Sequence, residues 1–105
     1  MDLTAVRSFV TVAEQSSFSR AADLLMIAQP AVSQQIKRLE RELGAQLLRR
    51  STRRVELTQA GQAFMPRARA ILAEVDRAEQ EMRLLAAGLA GRVAVGFVGT
   101  ATYDL

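Results

Sequence analysis

A chain of 105 residues, half of them apolar and 24% charged, has room for one small domain and an appendage. No apolar run approaches the roughly 20 residues of a membrane span. The opening, MDLTAVRSFV, lacks the basic front and apolar block of a secretory signal, so a cytoplasmic location with no membrane partner is expected. Cysteine and histidine are absent. That excludes disulfides, thiol nucleophiles, histidine acid–base chemistry and zinc sites of the usual ligand types, so no metal or cofactor is expected.

Charge is uneven. Residues 1–58 hold nine basic and six acidic groups, whereas residues 59–105 hold five of each. Within 37–54, Lys37, Arg38, Arg41, Arg49, Arg50, Arg53 and Arg54 stand against Glu40 and Glu42. Such a cluster is read first as a solvated basic face, but its local field also suits phosphates.

Leu3, Val6, Phe9, Val10 and Ala13 recur at helical spacing, with Asp2 and Thr4 placed to cap the start. The Gln15-Ser16-Ser17 stretch interrupts the pattern. A short second helix fits Ser19–Met26, with Ala21, Ala22, Leu24 and Leu25 apolar and Ser17 or Ser19 as its cap. Val32, Ile36, Leu39 and Leu43 then form a single stripe on a third helix, with Pro30 in its first turn and Gly44 as its stop. Opposite the stripe lie Ser33, Gln34, Lys37 and Arg41. Leu47-Leu48 and Val55-Glu56-Leu57 read as two short strands around a basic turn, Arg50 to Arg54.

From Gln59 to about Ala87 one helical pattern carries Phe64, Ala68, Ile71, Val75, Ala78, Met82 and Leu85 in steps of four and three. A strict heptad predicts a helix zipped to a partner helix, here a homodimer seam. Its roughly 29 residues would extend about 43 Å, too long simply to fold back on a small domain. Pro66 should bend it or loosen its first turns. Gly88 and Gly91 predict a hinge over 88–92, and 92–98 reads as a buried strand. The expected divisions are 1–58, 59–87, 88–92 and 93–105, the last being the truncated start of a further domain.

The predicted fold class is mainly α: a winged helix-turn-helix of three helices and a short β-hairpin, followed by a long dimerisation helix. In that motif the third helix enters the major groove, and a basic hairpin beside it reaches phosphates or a narrow minor groove. The same order suits a plain packing or oligomerisation module. An enzyme is disfavoured by the missing histidine and cysteine and by the lack of a carboxylate pair.

The residues narrow this. Ser17-Phe18-Ser19-Arg20-Ala21-Ala22-Asp23-Leu24-Leu25 and Ala28-Gln29-Pro30-Ala31-Val32-Ser33-Gln34-Gln35-Ile36 resemble the signature of bacterial LysR-type transcription regulators. So do Leu39-Glu40, Leu43-Gly44, Arg50 with Arg53, and Leu57-Thr58-Gln59-Ala60-Gly61. The resemblance implies sequence-specific binding to double-stranded DNA with an imperfect dyad. Gln29, Pro30, Ser33, Gln34 and Lys37 would meet bases and adjacent phosphates. Arg53 would enter the minor groove with Arg50 or Arg54 in support, and Ser17 and Ser19 join the DNA-facing set. It further implies a homodimer through the long helix, a tetramer at full length, and an effector domain. Gly96 to Tyr103 is similar to the branch of the family that governs aromatic-compound breakdown. There Thr100 and Thr102 would help hold an aromatic-derived carboxylate inducer. Three positions depart from the usual pattern: Ala28 lacks a capping side chain, Gln34 replaces a frequent arginine, and Leu48 replaces a common Phe.

Overall fold

The computed structural model describes residues 1–51 and 54–94, the last six of these by backbone alone. Helix α1, Leu3–Gln15, starts on Asp2, whose Oδ1 accepts the Thr4 N–H at 2.9 Å. It ends at Ser16, which turns into the left-handed region at φ 52°. Helix α2, Phe18–Leu25, starts on Ser17, whose hydroxyl accepts the Arg20 N–H. Helix α3, Gln29–Leu43, has no side-chain cap at Ala28, as its sequence predicts, and Pro30 occupies its first turn, where a missing N–H costs nothing. It stops at Gly44, whose φ of 72° suits a residue without a Cβ. Strands β1, Leu48–Arg50, and β2, Val55–Leu57, pair antiparallel with Leu48 opposite Leu57 and Arg49 opposite Glu56. Helix α4 runs Gln59–Ala94.

The observed architecture is a winged helix-turn-helix with a long following helix, as expected. Helices α1, α2 and α3 pack mutually around Phe9, Val6, Val12, Val32, Ile36 and Leu39, all wholly buried. Leu47 and Leu48 close this core from the wing side. The predicted stripes are right in phase and wrong at their ends. Leu3, Leu24 and Leu43 are exposed, because they stand in the end turns of short helices. Ser8 is buried on α1, and its hydroxyl donates to the Gln35 Oε1 on α3. The pairing offsets the cost of desolvating both groups.

Two differences concern α4. Its backbone stays helical through Gly88 and Gly91 to Ala94, where a hinge over 88–92 and a strand from residue 92 were expected. Each glycine costs a helix only about 1 kcal/mol relative to alanine. Leu84, Leu85, Ala86, Ala87, Leu89, Ala90 and Arg92 are all good helix formers that carry the segment across both. The remainder of the expected strand lies outside the described residues.

The second difference concerns the seam. Ala68 is fully buried with Met65 and Leu72 in the chain's own core, and the Phe64 ring sits 5.6 Å from that of Phe9. Ala68 is therefore inaccessible to a partner. A heptad records which face is apolar and not which neighbour covers it, and for these turns the neighbour is the same domain. The chain divides into two compact units, Met1–Leu72 and Ala73 onward, so the first turns of α4 belong with the winged domain. Among the described residues no helix is long and apolar enough to cross a membrane.

Gly61 marks the tightest approach. A Cβ there would lie 2.1 Å from the Leu47 carbonyl oxygen and 3.0 Å from the Leu57 Cδ2. Alanine in a helix interior normally gains up to about 1 kcal/mol over glycine. Here a backbone atom blocks it, so the sign should reverse. Gly61→Ala is expected to lower unfolding stability by about 1–3 kcal/mol, the usual cost of overpacking, as read from urea titration.

Candidate nucleic-acid interface

Burial of Val32, Ile36 and Leu39 fixes how α3 is rotated. At 100° per residue, Pro30, Gln34, Lys37 and Arg41 point directly away from that stripe, with Gln29 and Ser33 on its flank. Gln29, Pro30, Gln34, Lys37 and Arg41 are exposed and Ser33 is half-buried.

Three polar residues of α3 have partners elsewhere in the domain. Gln35 bonds Ser8, Arg38 pairs with Asp2 at 3.9 Å, and the Glu40 Oε2 accepts the N–H groups of Leu47 at 2.8 Å and Leu48 at 3.2 Å. Among the described residues, the side chains of Gln29, Ser33, Gln34, Lys37 and Arg41 take part in no intramolecular hydrogen bond or ion pair. The helix thus presents a row of amide, hydroxyl and cationic groups with their bonding capacity unspent. Amides and hydroxyls exchange hydrogen bonds with base edges, and cations meet phosphates.

The wing is less uniformly basic than its sequence suggests. Arg54 lies 3.0 Å and Arg49 3.9 Å from Glu56, so one carboxylate faces two of its arginines. The Arg50 Cζ stands 4.5 Å over the Phe18 ring. That stacking is worth about 0.5–1 kcal/mol at an exposed site and ties the wing to the front of α2. Arg50 also belongs to β1 rather than to the turn. Ser51 and Arg54 bond each other across the tip, while Arg53 lies outside the described residues, as do Thr100 and Thr102. Ser17 is committed to capping α2 and lies 3.2 Å from the Ser19 hydroxyl, which is exposed.

On α4, Ile71 and Val75 are half-buried and Ala78, Met82 and Leu85 are exposed.

Sequence reasoning missed the three residues that orient the site, Glu40 and the Ser8–Gln35 pair. Glu40 reads as an ordinary helix-surface carboxylate, and its seven-residue reach to Leu47 follows no helical period. One local cue exists: Glu40 stands one turn before Gly44, so the chain that doubles back after the glycine passes its carboxylate. Removing that acceptor leaves two backbone N–H groups unsatisfied. Glu40→Ala is expected to cost about 1–3 kcal/mol and to speed amide exchange at Leu47 and Leu48, measured by NMR hydrogen exchange.

Comparison with known proteins agrees with this fold. The family described as "Bacterial regulatory helix-turn-helix protein, lysR family" matches residues 3–62. The chain is 50% identical over 100 residues to the HTH-type transcriptional regulator BudR of Klebsiella aerogenes, spanning 95% of this chain and 70% of that protein. It is 42% identical over 104 residues to the HTH-type transcriptional regulator AlsR of Bacillus subtilis, covering 99% of this chain but 34% of that one. Among solved structures, the BenM DNA-binding domain in complex with catB site 1 DNA matches with a TM-score of 0.78 at 45% identity, over 82% of this chain and 96% of that one. Full-length CbnR complexed with its target DNA matches with a TM-score of 0.75 at 40% identity, over 79% of this chain and 29% of that one. With its relatives transcriptional regulators and its fold a winged helix-turn-helix, this chain belongs to the LysR family of bacterial regulators and forms a DNA-binding domain of that family.

Proposed function

We propose that the chain binds double-stranded DNA sequence-specifically as a homodimer, with α3 in the major groove and the basic wing at the minor groove. The observation that carries this reading is the unspent row on α3. On that helix Gln35, Arg38 and Glu40 have partners, whereas Gln29, Ser33, Gln34, Lys37 and Arg41 are left for a ligand. Gln29, Ser33 and Gln34 address base edges, and Lys37 addresses an adjacent phosphate. The solved complexes of BenM and CbnR with DNA support the reading. Arg53 remains the wing residue proposed for the minor groove, with Arg50 and Arg54 holding the base and tip of the hairpin. The location proposed with a DNA target is the cytoplasm.

Pairing is proposed through the part of α4 that its own domain leaves uncovered: Ile71, Val75, Ala78, Met82 and Leu85. Met82 is 56% and Leu85 53% exposed, large apolar groups on a helix that gain from a second copy. Two reading helices held by one dimer match an imperfect dyad with half-sites one helical turn or a small multiple apart.

Selection of bound duplexes from a random pool tests the whole reading, since it reports binding, dyad symmetry and half-site spacing together. Affinity for duplex DNA should fall steeply with salt; a salt-independent interaction would instead indicate a pure oligomerisation module. Ser33→Ala combined with Gln34→Ala should reduce discrimination between selected and random duplexes by about tenfold or more, at about 1–3 kcal/mol per base contact, while lowering random-sequence binding less. Equal losses on both would count against base reading. Val75→Asp should give monomers in sedimentation, and a persisting dimer would place the interface elsewhere.

A further inference from the structure

We propose that Arg41 is a second phosphate-contacting residue on α3, extending the DNA contact one helical turn beyond Lys37. This rests on the DNA-binding reading above. Arg41 lies on the outermost line of the helix, 180° by helical phase from the buried stripe and nearly in line with Gln34. It is exposed and, like Lys37, has no ion pair or side-chain hydrogen bond among the described residues. Together they border a shallow, open depression whose other walls are Glu40, Gly44, Ala45 and Gln46.

Glu40 could have neutralised both cations, but it does not. Its Oε2 is taken by the Leu47 and Leu48 N–H groups, which turns the carboxylate toward the wing. Gly44 adds to the opening, since nothing stands within 4 Å of where its side chain would project. The depression therefore offers two cations about 6 Å apart along the helix axis, with no bulky group between them and solvent. Such spacing suits two separate phosphates along one strand rather than one small anion gripped from both sides.

Arg41 has another role within the fold. It stands in the last turn of α3, where a cation also favours the helix C-terminus. The two roles separate in the salt dependence of binding. A phosphate contact releases condensed counterions, whereas a contribution to helix stability does not.

The test compares the full chain with Arg41→Gln and Arg41→Lys on a duplex recovered from the random-pool selection, with affinity followed over a range of salt concentrations. Arg41→Gln should weaken binding several-fold at low salt and reduce the slope of log K against log salt by about 0.9, the value for one lost phosphate contact. Arg41→Lys should keep the slope. Base preference should be unchanged in both. An Arg41→Gln slope equal to that of the unaltered chain overturns the inference, whatever happens to the melting temperature. If the unaltered chain shows no salt-dependent binding, the DNA-binding reading falls and the inference with it.

Discussion

The peptide of Leu47 is where the parts of the reading head meet. Its N–H is held by Glu40 of α3, its carbonyl accepts the Thr58 N–H at 3.0 Å, and its side chain is wholly buried. The same carbonyl stands against Gly61, in the first turn of α4. Thr58 adds two further bonds, donating to the Gln46 carbonyl and accepting the Gly61 N–H. Burial of Leu47 is worth about 1.5–3 kcal/mol, comparable to the cost of leaving its polar groups unpaired. A three-residue strand pair has little stability of its own. The wing keeps its place because this junction fastens it to two helices at once.

From that junction follows a division of labour among charged side chains. Asp2, Glu14, Glu40 and Glu56 each hold a cation or a backbone donor in place. Exposed ion pairs of this kind contribute little to stability, so their effect is chiefly orientational. On α3, Gln34, Lys37 and Arg41 make no such contact among the described residues. The positive field of the sequence cluster is therefore not spread evenly over 37–54. Glu56 pairs with two arginines on the wing, whereas neither Lys37 nor Arg41 has an ion pair among the described residues.

Much of this could be read in the sequence. The stripe Val32, Ile36, Leu39 fixes the rotation of α3, and rotation alone determines which residues face outward. Gly44, Ser17 and Asp2 act as the stop and caps their chemistry predicts. What could not be read depends on tertiary choice. The heptad on α4 does not distinguish a partner helix from the chain's own core, and Ala68 went to the core. Gly88 and Gly91 resemble a hinge by type, yet flanking leucines and alanines keep them helical. The hold of Glu40 on the wing arises only when the chain has turned at Gly44, so no local pattern contains it.

The two-sided character of α3 has a consequence for how such proteins diversify. Residues that fold the helix, namely Val32, Gln35, Ile36, Leu39 and Glu40, share no position with those that face outward. If α3 enters the groove as proposed, substitutions at the exposed positions 29, 34 and 37 would change the chemistry offered to DNA at little thermodynamic cost to the domain, since solvated surface positions usually shift stability by under about 0.5 kcal/mol. Target preference can drift through many intermediates, each of which still folds. A duplicated copy could acquire a new operator by single steps, without first passing through an unstable form.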